Sequence, residues 1–104
     1  MKVQTVSYDA AEEVGSSPAL VMNTNTNPFN VGFSVVVDGT VDYTVQHTFD
    51  DPGVGFTTWF NHPTIAAQIA DADGNYAFPV TGIRVTVNSG DGSVVMNVVQ
   101  AGIA

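Results

Sequence analysis

The chain has 104 residues, 44% hydrophobic and 12% charged, and it contains no cysteine. That length supports one domain, 1–104, able to bury roughly two-thirds of its unfolded surface, and the missing thiols exclude disulfide scaffolds, thiolate metal sites and cysteine nucleophiles. Lys2 and Arg84 stand alone against ten acidic residues, a net charge of −8; neither nucleic acid nor an anionic membrane is expected as a partner, because both recruit several cations.

The opening Met1-Lys2-Val3-Gln4-Thr5-Val6-Ser7-Tyr8 lacks the apolar run of a signal peptide or a membrane span, so a product made in the cytoplasm is expected. Its alternation, Val3, Thr5 and Ser7 against Gln4, Val6 and Tyr8, predicts a first strand. Asp9 to Ser17 reads as a solvated loop, Ala19-Leu20-Val21-Met22 as a short apolar strand. Asn23 to Pro28 reads as a polar loop, where Asn and Thr side chains compete for backbone hydrogen bonds.

Two alternating runs follow, Val31 to Val37 and Thr40 to Phe49, separated by Asp38-Gly39. That dipeptide between such runs predicts a hairpin with a type I′ turn. Asp50-Asp51-Pro52-Gly53 reads as an Asx-type turn, and Thr57 to Phe60 as a short strand. Pro63 and the Ile65–Ile69 spacing predict one or two helical turns within Asn61 to Ala70, and Asp71 to Asn75 reads as a turn. The excursion from Asp50 to Asn75 is long enough to be functional or packed on the domain.

Val80 to Asn88 and Ser93 to Ile103, joined by Ser89-Gly90-Asp91-Gly92, predict a closing hairpin. Ile83, Val85 and Val87 share one face, with Arg84 and Thr86 on the other. The last strand is apolar on both faces, so it is central and covered twice, or another subunit buries its outer side. The expected fold is an all-β, antiparallel sandwich or jelly roll of six to eight strands with one long loop.

No set of acid, base and nucleophile converges, so no catalytic residue, cofactor or metal site is assigned and the chain is not read as an enzyme. His47 falls on the apolar face of its strand and reads as a core or interface histidine; His62 reads as a loop anchor against Trp59. Asp71-Ala72-Asp73-Gly74-Asn75 departs from a calcium loop, since the glycine comes early and Gly82 occupies the twelfth position. Phe56, Trp59, Phe60, Tyr76 and Phe78 make either a minor core under the excursion or a platform for sugar rings. Arg84, with ten carboxylates available, is expected to take an ionic partner.

Tyr43-Thr44-Val45-Gln46-His47-Thr48-Phe49-Asp50-Asp51, Trp59-Phe60-Asn61-His62, Gly74-Asn75-Tyr76, Pro79 to Val85 and Val98-Val99-Gln100-Ala101-Gly102 together resemble small virion structural proteins of tailed bacteriophages. The resemblance spans about residues 40–102. It implies a virion location after assembly in the host cytoplasm, with the major capsid protein or other virion proteins as partners. The leading expectation is therefore a capsid decoration protein that cements the outer shell, itself a dimer or trimer. A tail or neck accessory protein, and a carbohydrate-binding module for host glycans, are the alternatives. Arg84 and Val95 to Val99 of the closing hairpin are the expected interface, with the loop around Trp59 and His62 as the second contact.

Overall fold

The computed structural model describes residues 2–11, 13–22, 30–51 and 53–100; the polar loop expected at Asn23 to Pro28 lies outside them. Among the described residues there are eight strands and no helix: β1 (Lys2–Asp9), β2 (Leu20–Val21), β3 (Val31–Asp38), β4 (Val41–Thr48), β5 (Phe60–Asn61), β6 (Ala72–Tyr76), β7 (Gly82–Gly90) and β8 (Ser93–Gln100). They make two antiparallel sheets, a front sheet of order β1-β8-β3-β6 and a back sheet of order β2-β7-β4-β5. The pairs β1–β8, β2–β7, β3–β6 and β4–β5 are those of one long hairpin; rolling it up adds β8–β3 and β7–β4. The result is a β-sandwich with jelly-roll strand order.

Period-two alternation builds the core. Val31, Phe33, Val35, Val94, Met96 and Val98 of the front sheet meet Val41, Tyr43, Val45, Ile83, Val85 and Val87 of the back sheet, all at most 4% exposed. Each fully buried side chain of this kind contributes about 1.5–3 kcal/mol relative to exposure.

Both expected hairpins are corrected. β3 and β4 lie in different sheets, as do β7 and β8. Each glycine-bearing turn carries the chain across the sandwich, and the two turns stack: the Asp91 and Gly92 amides both donate to the Thr40 carbonyl, at 3.1 and 3.0 Å. Gly39 has φ of 86°, but Asp38 is not in the left-handed region, so the type I′ turn is absent. Alternation dictates which face of a strand is apolar, and a hairpin and a cross-sheet turn satisfy it equally. Here the ladders β3–β8 and β4–β7 take the hydrogen bonds that hairpins would have used.

The excursion also differs from expectation. No helical turn forms within 61–70, because its backbone bonds elsewhere: Tyr43 and Gln68 exchange backbone bonds of 2.9 and 2.8 Å, and the Ala67 amide donates to Thr44 Oγ1 at 3.0 Å. The strand expected at 57–60 is instead Phe60–Asn61. The segment read as a turn at Asp71 to Asn75 becomes β6 on the free edge of β3, its entry set by Asp71, whose Oδ1 accepts from the Val37 amide at 2.8 Å. The Asx turn is present, with the Gly53 amide donating to Asp51 Oδ1 at 2.8 Å.

Candidate functional site

The outward residues of the front sheet form three cross-strand rows: Val3–Val99–Gly32, Thr5–Asn97–Ser34 and Ser7–Val95–Val36. Val3, Val36, Val95 and Val99 are 55, 49, 37 and 37% exposed. The polar centre is tied within itself, Thr5 Oγ1 donating to Asn97 Oδ1 at 2.7 Å. Among the described residues of this sheet, Asp9 and Asp38 end the β1 and β3 strands and Asp73 stands on the edge strand β6 opposite Ser34. In a chain of net charge −8 this face presents an uncharged, valine-studded surface.

The outer face of the back sheet is built differently. Residues 53–59 arch over it and are held by Asp50. The Thr57 and Thr58 amides donate to its Oδ2 at 2.7 and 2.8 Å, and Thr81 Oγ1 donates to its carbonyl at 2.6 Å. The Thr58 and Thr57 amides hold the Asp50 carboxyl below the usual carboxylate range. Phe56 lies over Gly82, where a Cβ would meet its ring at 3.0 Å, and meets Trp59 edge-on with centroids 5.7 Å apart. Trp59 in turn covers Arg84, whose Cζ is 4.2 Å from the ring centre. Arg84 Nε donates to Gln46 Oε1 at 2.8 Å, and Gln46 Nε2 donates to Asn61 Oδ1 at 3.0 Å. Gln46 and Arg84 are opposite each other in the β4–β7 ladder, as Gln46 and Asn61 are in β4–β5. Partial burial pushes the Arg84 pKa down.

A third cluster fills the sandwich opening between β5 and β6. His47 Nδ1 shares a 2.9 Å hydrogen bond with the Tyr76 hydroxyl. The rings of His47 and His62 stand 4.9 and 5.0 Å from that of Tyr76. His62 Nδ1 accepts from the Thr64 and Ile65 amides, both at 3.1 Å, so its proton sits on Nε2, 3.2 Å from the Asn75 carbonyl. Burial, then the neighbouring His62, pushes the His47 pKa down, and burial raises that of Tyr76. Phe49, Phe60 and Phe78 flank His47 at 5.3–6.0 Å and remain partly exposed. Among the described residues no group of three or more metal-ligating side chains forms.

The five residues singled out from the sequence do not make one surface. Val95 and Val99 lie on the front face, Arg84 and Trp59 on the back face, and His62 is buried. β7 and β8 therefore present two opposite faces of the sandwich rather than one interface. His62 packs on Phe33 and Tyr76 in place of Trp59. Arg84 is held by Gln46 and Trp59; among the described residues it takes no carboxylate. The aromatic residues of the excursion split, Phe56 and Trp59 outside, Phe60, Tyr76 and Phe78 around His47. Val3, Val36, Gln46 and Asn61 were not singled out. Gln46 shares the polar face of its strand with Asp42 and Thr44, the one signal that placed it on the side of Arg84. Comparison of the chain with protein-family models, curated proteins and solved structures gave no match.

Proposed function

We propose that the chain is a virion structural protein, a decoration protein that seats the front sheet on the outer shell of a tailed-phage head. The carrying observation is the uncharged face of β1, β8 and β3, with four half-exposed valines in a strongly acidic protein. Three strands about 4.8 Å apart and eight residues of about 3.4 Å each give a flat footprint of roughly 400 Å². A standard stable interface buries about 800 Å² per partner. One such contact is weak, and repetition across a symmetric shell, by copies linked as a dimer or trimer, turns it into firm attachment. The resemblance to small virion proteins and the jelly-roll order, shared by many capsid and lectin domains, agree with this role. The partner is the major capsid protein, and the protein does no chemistry.

The test mixes purified protein with undecorated capsids of the phage that carries its gene. Co-sedimentation in a fixed ratio, and heat resistance restored to the capsids, is the expected result. Protein left in the supernatant at saturating concentration overturns the proposal.

A further inference from the structure

The polar groups on the back face run in one direction. A guanidinium has donors and no acceptor, so the 2.8 Å contact to Arg84 Nε requires Gln46 to turn its Oε1 toward it. Gln46 then has only Nε2 to offer Asn61, so Asn61 presents Oδ1 inward at 3.0 Å and Nδ2 outward. Gln46 Oε1 and Asn61 Oδ1 each already accept one internal hydrogen bond. What is left over is the fork of Arg84, Nη1 and Nη2, and the amide Nδ2 of Asn61, none with a hydrogen-bond partner among the described residues. These unused donors stand beside the partly exposed indole of Trp59.

We infer that Arg84, Trp59, Gln46 and Asn61 form a binding site for a carboxylated sugar of the uronic or sialic acid class. The guanidinium fork takes the carboxylate in two parallel hydrogen bonds. Asn61 Nδ2 donates to a neighbouring hydroxyl oxygen, and the Trp59 edge and ring give the sugar's apolar side a surface. The charge pattern selects this ligand over a polyanion. One guanidinium flanked by neutral amides matches one carboxylate among hydroxyls, whereas a phosphate chain or acidic peptide would meet the field of a chain carrying −8. The site faces away from the valine face, so it stands independently of the proposed attachment to a shell; on an attached copy it would point outward.

Trp59 is the sole tryptophan, so its fluorescence reports this site alone. Sodium glucuronate and N-acetylneuraminate are titrated into the free protein, with glucose, acetate and a triglutamate peptide in parallel. Saturable change with one of the acidic sugars, and a response at least about tenfold weaker to glucose, acetate and the peptide, is expected, the scale of a charged hydrogen bond. Arg84→Lys and Asn61→Ala are then compared with the parent at matched circular dichroism; Arg84→Lys should weaken binding roughly tenfold or more, because an ammonium lacks the fork. Asn61 is on an exposed edge, so Asn61→Ala reads the site even if the Arg84 variant misfolds. No saturation by either acidic sugar, equal binding of glucose or peptide, or unchanged affinity in Asn61→Ala overturns the inference.

Discussion

The two outer faces of this sandwich are made from the same kind of strand and differ in what the chain does with them. The front face is bare: rows of Val, Thr, Ser, Asn and Gly with one side-chain bond of 2.7 Å at their centre. The back face is furnished, with an arch pinned by Asp50 and a tryptophan laid over an arginine. A bare, uncharged face costs little to desolvate and suits docking on another flat surface. A furnished face has ordered its polar groups in advance, which suits recognition of a small ligand. Because the faces share only the core, changes to one should leave the function of the other intact.

The largest expected effect comes from breaking the bare face. Val36→Asp with Val99→Asp places two charges among its rows and should abolish co-sedimentation with capsids. Both side chains are only half-exposed and lie in strands, so unfolding by urea should move by about 1 kcal/mol per site with the fold retained. Loss of binding together with loss of fold would show that this face is structural.

The furnished face should answer the other way. Gly82→Val puts atoms where Phe56 and Thr48 already stand, 3.0 and 3.1 Å from a Cβ. Displacing the arch should cost about 1–3 kcal/mol by urea unfolding and shift Trp59 fluorescence to the red, while capsid attachment persists.

These differences were unequally legible in the residues. Alternation from Val31 to Phe49 and from Val80 onward marked the inward faces, and Val95 and Val99 stood out because β8 is apolar on both sides. What alternation does not encode is the partner of a strand. Asp38-Gly39 announces a reversal whether the next strand pairs alongside or crosses the core, and here the crossing is fixed by stacking on the distant turn at Asp91-Gly92. Asp71 to Asn75 looked like a turn because its residues are turn formers; the open edge of β3 made it a strand. The meeting of Trp59 with Arg84 depends on an arch anchored through Asp50 and Thr81, contacts that spacing along the chain does not announce.

The interior opening between the faces supplies a pH test. His47 has its pKa lowered from 6.5 by burial and by His62, so the folded state holds fewer protons than the unfolded one just below that value. Stability should be full above pH 6.5 and fall as pH drops from there toward the folded pKa. His47→Phe should flatten that slope in urea unfolding series at several pH values, while both outer faces keep their binding behaviour. An unchanged slope would remove His47 as its cause.

The smallest effect is at the indole–guanidinium contact. Arg84→Met should cost about 0.5–1 kcal/mol, the worth of a partly exposed cation–π pair, and abolish acidic-sugar binding without touching attachment.

Electron microscopy of the intact particle tests the central claim most directly, because it images which side of the sandwich meets the shell. The valine rows of β1, β8 and β3 should lie against the capsid, with Trp59 and Arg84 facing solvent. Density for the protein with those valines turned to solvent, or no density for it anywhere on the head, would contradict the account.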